Sequence, residues 1–471
     1  MMICVSVAQH LAEAITPKVV FSMNDAQPAL QAFLNSNPDI EIFEIMLPDI
    51  GGGMRGKWVP RDKIHKVFAG EVKLPASSVA FDTWGRDIEA WLSSGGDGDG
   101  YCEADVRTLV RVPWMARPTA QVLVSMREAD GSPGAFDPRF MLRAMMARFA
   151  RLGLTPVLAT EMEFYLLQNE ADTLGHPRHT QTDRVGGRLR AGQTYCLDTM
   201  ASVSDVMHGI RDACEIQQLP VDTLIKEGAP SQYEINLCHS PDALLACDQA
   251  VMLQRAIKGV ARSQGLLATF MAKPFGELAG SGMHLHCSLL DADGNNAFDD
   301  GTGKGTPLLR QAIAGCMANM ADSMLVFAPH LNSYRRFRRG THAPLAPCWG
   351  YENRTVSLRV PADQPAATRI EHRVAGADAH PHLVVTAMLA GMLAGIEQQL
   401  EAPPPITGSA YDQVPLSLPR YWPDALQRFR NSAFIRDNFG PEFQRVMTLM
   451  KEQEMDDFDR QVTLLEYDAC L

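Results

Sequence analysis

The chain has 471 residues, 46% hydrophobic and 21% charged, with 43 basic against 55 acidic side chains for a formal charge of −12. That composition is globular and excludes disordered, collagenous and coiled-coil chains, while the acidic excess argues against nucleic acid as the main partner. At about 150 residues per domain the length admits two or three domains.

Taken in chain order, the opening MMICVSVAQHLAEAI reads as a helix with no basic residues ahead of its apolar part, so no secretory leader is expected. Residues 40–50, IEIFEIMLPDI, alternate like a strand and run into GGGMRGKWVP, a glycine turn followed by extended sequence. Gly51, Gly56 and Lys57 mimic a phosphate loop, but Trp58 stands where the magnesium-holding hydroxyl belongs and no helix opens there, so a structural turn is expected. A Gly/Asp-rich patch at 93–101 and two short strand-like runs, VRVPW and VLVSM, complete a small β-rich domain over 20–126. The Gly, Pro and Asp of 127–138 mark a linker, and the helix pattern RFMLRAMMARFARLG then opens a second domain over 139–471, in which strands and helices interleave. Residues 299–305, DDGTGKG, read as a surface turn, and the longest apolar run, 383–396, is too short for the ~18 residues a membrane span needs. The ten cysteines show neither a CxxC pair nor a zinc spacing, so they are expected as free thiols of a soluble, cytoplasmic protein.

Several strand-like runs place ionisable groups on one face and apolar residues on the other. In ATEMEFYLL, Glu161 and Glu163 oppose Met162, Phe164 and Leu166; in SQYEINL, Glu234 and Asn236 share a face, with Glu227 upstream. His284, His286 and Ser288 share a face in GSGMHLHCSL, Thr355, Ser357 and Arg359 in NRTVSLRVP, and Arg369, Glu371 and Arg373 in RIEHRV. One such strand is ordinarily a solvated face. Five together, if they line one cavity, gather five carboxylates that cannot all stay ionised unless cations share the space. Carboxylate ligation with a histidine suits magnesium or manganese, and arginines beside such ions are what phosphoryl transfer needs.

In order along the chain these segments resemble the glutamine synthetase superfamily: DIGGGMRGKWVP, ATEMEFYLL, GAPSQYEINL, ATFMAKPFGELAGSGMHLHCSL, NSYRRF, WGYENRTVSLRVP and RIEHRVAGADAHPHLV. The resemblance implies an α+β fold, with a small β-grasp-like N-terminal domain and a large catalytic domain whose curved antiparallel sheet is backed by helices. It further implies that Glu163, Glu227 and Glu234 ligate one metal and Glu161, His284 and Glu371 a second, with Mg2+ or Mn2+ as the ions. His286 and Ser288 match nucleotide contacts, Arg354 and Arg359 the arginines on ATP phosphates, and Gly280, Arg336 and Arg373 the glutamate site. The implied chemistry is phosphorylation of the glutamate side-chain carboxylate by ATP, then attack of an amine on the γ-glutamyl phosphate. Ring-shaped homododecamers are implied as well.

Two departures bear on the amine. Where ammonia-using members carry a loop Glu and, before GSGMH, an Asn, this chain has His342 and Ala279. An imidazole traps a small cation less well than a carboxylate and can instead accept a proton from the attacking amine. Phrases such as PCWGYENRTVSLRVP and SAYDQVPLSLP resemble the γ-glutamylputrescine synthetase branch, which points to putrescine or another polyamine as acceptor, with ammonia or a monoamine such as ethanolamine as the alternatives. Trp349, Tyr351 and Glu352 stand either at the amine surface or in packing, and Asp49 is a candidate for the acidic ammonium-site residue. Tyr411 lies near the adenylylated position of some relatives but has different flanks, so an exposed structural tyrosine is expected.

Overall fold

A computed structural model describes residues 23–95, 97–180, 184–185, 188–189, 193–361 and 364–471; the helix expected at the start of the chain, and Cys4, lie outside them. After helix α1 (Met23–Ser36), strands β1 (Ile42–Pro48) and β2 (Met54–Pro60) form an antiparallel hairpin. A side chain at Gly56 would run into the Ile45 carbonyl oxygen, so the glycine there serves backbone approach. The chain leaves that turn as strand through Trp58, the structural turn expected of GGGMRGK. With β3 (Lys73–Pro75), β4 (Asp99–Ala104), β5 (Val110–Arg111) and β6 (Thr119–Arg127), the order is β2-β1-β6-β4-β3 and β5 pairs with β6. Central β1 and β6 run parallel and are buried nearly throughout, including the polar Glu44, Gln121 and Ser125.

The chain leaves β6 at Arg127 and enters helix α2 (Pro138–Arg151), where the Asp137 carboxylate caps the amides of Arg139 and Phe140. The second sheet is built on the long strand β7 (Thr155–Gln168). It is followed by the ribbon β8 (Arg184–Val185) and β9 (Arg188–Leu189), then helix α3 (Ser204–Ile216), β10 (Val221–Lys226), β11 (Gln232–Leu237), helix α4 (Ala243–Ser263), β12 (Leu266–Thr269) and β13 (Met283–Leu290). Helix α5 (Pro307–Asn319), β14 (Trp349–Tyr351), β15 (Leu358–Val360), β16 (Ile370–His372) and helix α6 (Pro381–Glu397) complete the body. The sheet order is β10-β11-β7-β13-β16-β15-β14, with β12 on β7. Its pairs are antiparallel except β14 with β15, which run parallel.

The alternation in β7 has a direct structural meaning. Met162, Phe164 and Leu166 are fully buried in the main core, a side contacted by α4. At about 1.5–3 kcal/mol for each large apolar side chain, that burial fixes the register and turns Glu161 and Glu163 to the opposite face. The apolar run 383–396 is the buried helix α6, packed on α5 through Gly315, Gly391 and Gly395 so closely that added side chains would meet backbone. Among the described residues no helix is long and apolar enough to cross a membrane, and every cysteine is a free thiol.

The alternation expected across NRTVSLRVP holds only over its last part. The Asn353 side chain accepts from the Thr355 amide (2.9 Å) and hydroxyl (2.6 Å), making a turn, and the strand begins at Leu358. Ser357 is fully buried, its hydroxyl bonded to the Cys348 carbonyl (2.7 Å), so it does not share the open face with Arg359.

Candidate active site

Register brings the polar faces together. Asn236 on β11 lies opposite Glu161 on β7, which lies opposite His284 on β13; one step along, Glu234 faces Glu163. On the other side of β13, His286 faces Glu371 on β16 and Glu371 faces Arg359 on β15. Glu227 enters from the turn after β10. Of the residues singled out in the sequence, Glu161, Glu163, Glu227, Glu234, His284, Gly280, Arg336, His342, Arg354, Arg359 and Arg373 line one cavity of about 480 Å³. His286 and Glu371 adjoin it through hydrogen bonds, whereas Ser288 lies further along β13, opposite Val157 and outside the lining.

The carboxylates in this cavity differ sharply in how their charge is met. Burial works against ionising Glu161, but His284 (3.1 Å) and His286 (2.8 Å) hold it well below the ordinary carboxylate range. Burial likewise opposes ionisation of Glu371, yet Arg373, the two histidines and Arg359 (2.5 Å) keep its pKa low. Glu234 has no such partner: burial first, then the charges of Glu161, Glu163 and Glu227, push it up to about 9. Glu227 is raised too, by burial and by Glu163. Glu163 accepts a hydrogen bond from the Gly282 amide (2.6 Å).

The donor set fits hard divalent cations. One ligand atom each from Glu161, Glu234 and His284 lie within 4.8 Å of one another, as do those from Glu161, His286 and Glu371. Oxygen ligands with one imidazole suit Mg2+ or Mn2+, and a cation held here would offset the negative charge that otherwise drives Glu234 and Glu227 to protonate. This proximity grouping cuts across the two ligand sets that the sequence resemblance implies, with Glu161 common to both groups and His286 in one of them.

Around the carboxylates stand guanidiniums. Arg336 is buried at the cavity wall, its pKa lowered by burial, and donates to the Val374 carbonyl (3.1 Å). A Cβ on Gly280 would come within 2.6 Å of the Ala272 oxygen and the Arg336 side chain, so glycine there lets Arg336 pass. Arg359 reaches Glu352 (3.2 Å) as well as Glu371. Arg354 is exposed on the lining and makes no ion pair or hydrogen bond among the described residues. His342 is exposed, in a left-handed conformation (φ 59°), on a loop fastened by two bonds: Tyr411 hydroxyl to the Ala343 carbonyl (2.9 Å) and Arg339 to Asp412 (2.5 Å). Tyr411 is therefore half-buried rather than exposed, its phenol pushed up by burial.

Other sequence candidates fall elsewhere. Trp349 is buried with its indole N–H on the Pro403 carbonyl (2.7 Å), and Tyr351 gives its hydroxyl to Lys304 (2.7 Å), so both serve packing and loop closure. Asp49 is buried, paired to Arg55 (2.5 Å) and the Gly53 amide (2.7 Å), and lines a separate cavity of about 370 Å³ between the two sheets. Thr194, Tyr195, Ile225 and Thr341 also line the active cavity. They come from loops and a strand edge where no polar alternation singles them out.

A family model described as glutamine synthetase, catalytic domain, matches residues 135–470. The chain is 36% identical over 449 residues to the gamma-glutamylputrescine synthetase of Escherichia coli (strain K12), with 94% of each covered. It is 33% identical over 429 residues to the gamma-glutamylethanolamide synthetase of Streptomyces coelicolor, covering 90% of this chain and 91% of that protein. A solved structure described as a GmaS/ADP complex superposes with a TM-score of 0.82 at 26% identity, covering 94% of this chain and 99% of that one.

Proposed function

The chain belongs to the glutamine synthetase family, and from that premise we propose that it is an ATP-dependent ligase joining the side-chain carboxylate of L-glutamate to an amine, with putrescine or another polyamine as acceptor. The observation that carries this reading is the uncompensated set of Glu163, Glu227 and Glu234 set against the guanidiniums of Arg336, Arg354, Arg359 and Arg373 in one cavity. Such a site accepts divalent cations on one side and anionic substrates on the other.

Glu161, Glu163, Glu227, Glu234, His284 and Glu371 would hold two or more Mg2+ or Mn2+ ions. When bound, these neutralise phosphate charge and so let an anionic carboxylate approach an anionic nucleotide. Arg354, which has no ion pair or hydrogen bond among the described residues, and Arg359 take the ATP phosphates, while His286 and Ser288 contact the nucleotide. Arg336 and Arg373 orient glutamate by its carboxylates against the bare backbone of Gly280. The glutamate γ-carboxylate oxygen attacks the terminal phosphorus, the bond to the ADP oxygen breaks, and a γ-glutamyl phosphate forms. The amine nitrogen then bonds to the γ-carbon, inorganic phosphate leaves with the C–O bond electrons, and His342 accepts the surplus ammonium proton. A carboxylate is a poor electrophile, and the phosphate supplies its leaving group.

The acceptor assignment is supported by the likeness to a gamma-glutamylputrescine synthetase and by His342 and Ala279 standing where ammonia-using relatives carry Glu and Asn. The physiological setting that fits is polyamine breakdown in the cytoplasm, by a homododecamer of paired rings whose mass native mass spectrometry would read. Glutamate carrying 18O in its side-chain carboxylate tests the chemistry. With putrescine and ATP, one labelled oxygen should pass into each released phosphate; label confined to the amide product would contradict the γ-glutamyl phosphate.

A further inference from the structure

Strand β10 lies at the end of the large sheet, and its side chains are exposed or half-buried from Val221 to Ile225; the one position buried is its last, and that residue is a lysine. Lys226 is 1% exposed, a burial that lysines reach only where their charge is met. Register sets it opposite Tyr233, so its side chain points to the apolar side of the sheet, while Ile225, one residue earlier, stands opposite Glu234 and lines the cavity. The ammonium therefore lies behind the site and not in it.

From there it turns back onto the connection between β10 and β11. It donates to the Glu227 carbonyl (2.7 Å) and to the Ala229 carbonyl (2.6 Å), and sits 5.3 Å from the centre of the Tyr233 ring. Hydrogen bonds from a charged donor are about twice as strong as neutral ones. The connection needs such fastening. Its backbone bonds run from the Glu227 amide to the Gln232 carbonyl (3.0 Å) and from the Gln232 amide to the Ala229 carbonyl (3.2 Å), and Ser231 is held in a left-handed conformation (φ 60°). A residue other than glycine keeps that conformation only where its surroundings over-determine it. Glu227 leaves this same turn toward the front of the sheet and lines the cavity. The ammonium thus grips the peptide unit that follows Glu227, at the base of the carboxylate. An apolar side chain would fill the space behind the sheet at less desolvation cost, so the lysine is explained by what it holds.

Resting on the reading of Glu227 as a metal ligand beside Glu163 and Glu234, we propose that Lys226 is a positioning residue for that metal site, its buried ammonium fixing the turn that aims the Glu227 carboxylate into the cavity. Lys226 touches neither substrate nor metal and acts through Glu227.

The test uses the full chain stripped with EDTA and titrated with Mn2+ alone, well below its melting temperature, free Mn2+ being read by electron paramagnetic resonance. Glu227→Gln checks the ligand reading and should weaken one class of Mn2+ site. Lys226→Met, which keeps the length and loses the ammonium, should weaken the same class by about tenfold, the lower end of the range for groups that support metal ligands. Loss of a positive charge would by itself draw a cation in more strongly, so weaker binding reports a displaced carboxylate. Added to Glu227→Gln, Lys226→Met should weaken binding no further, because the group it positions is already gone. Lys226→Arg keeps a cation on the two carbonyls, should bind Mn2+ nearly as the parent does, and carries the test if the methionine variant does not fold; an arginine variant as weak as Glu227→Gln would overturn the assignment. Equal weakening by Lys226→Met with and without Glu227→Gln would make Lys226 a general structural residue and overturn it as well. If Glu227→Gln weakens Mn2+ binding and Lys226→Met does not, the assignment of Lys226 falls while the metal site stands. If Glu227→Gln leaves Mn2+ binding intact, the ligand reading of Glu227 falls and this assignment with it.

Discussion

Two sets of buried carboxylates lie in this molecule, and the fold treats them in opposite ways. In the junction between the sheets, Asp248 on α4 receives two hydrogen bonds from Arg139 (2.8 and 2.7 Å) and one contact from His382 (2.9 Å), while Asp105 receives Arg139 (2.7 Å) and Arg107 (2.6 Å). Burial opposes both charges, yet the arginines hold Asp248 and Asp105 below the usual range. In the cavity, Glu234 is pushed up to about 9, by burial and by three neighbouring glutamates. The chain surrounds Asp248 and Asp105 with its own counter-charge and leaves Glu234 and Glu227 without one.

The sharpest way to break this contrast is to remove one member from each set. Glu163→Ala or Glu234→Ala should lower amine-dependent phosphate release by about a thousandfold or more while the thermal melt stays within a few degrees, since each would take a ligand or its support from the proposed two-ion site. Arg139→Met should do the reverse. It strands Asp248 and Asp105 without their shared cation and should cost about 3–5 kcal/mol in urea unfolding. Loss of stability in the first pair, or none in the second, would invert the comparison.

Next in size is the response to pH and metal. The folded, metal-free pKa of Glu234 lies near 9, against about 4.3 in an unfolded chain. Between those values the folded state holds a proton the unfolded state has lost, so this group erodes stability as pH rises. A bound divalent cation displaces that proton. Isothermal titration near pH 7 in buffers of different ionisation enthalpy should therefore show about one proton released as this part of the site fills, and the gain in melting temperature from Mn2+ should grow from pH 6 to pH 9. Asp248 has the opposite sign. Its folded pKa is depressed, so its contribution is present above about pH 4 and is lost as pH falls through the folded value. A metal-induced gain independent of pH would remove the charge-deficit account.

The smallest effect concerns the loop over the cavity. Tyr411→Phe deletes one hydrogen bond to the Ala343 carbonyl, worth about 1 kcal/mol, and should raise KM for the amine about fivefold while leaving KM for ATP and kcat nearly unchanged. Steady-state kinetics with each substrate varied in turn would read this, and an equal rise in every KM would make the tyrosine a general structural element.

Much of the site was legible because period two survives in a strand whatever its neighbours. Glu161 with Glu163, and His284 with His286, could be assigned to open faces from alternation with Met162, Phe164 and Leu285, and the resemblance then named roles for them. Pairing order was not legible: β14 runs parallel to β15, and nothing local in three-residue strands records that. Ser357 shows how alternation misleads where a side-chain turn, here from Asn353, takes over the backbone bonds. The Arg139 network was invisible, because its partners lie 34 and 109 residues away and an arginine on a helix-like segment reads as surface. Tyr195 and Thr341 were missed for the same reason, being placed at the cavity by loops.

The most direct test of the function is inorganic phosphate release from ATP with glutamate, Mg2+ or Mn2+ and, in turn, putrescine, spermidine, ethanolamine, simple monoamines and ammonia, with each product weighed by mass spectrometry. Release dependent on putrescine or spermidine, yielding the γ-glutamyl amide and absent with ammonia, is the expected result. Release with ammonia alone, yielding glutamine, would contradict the polyamine assignment and return His342 to a passive place on its loop.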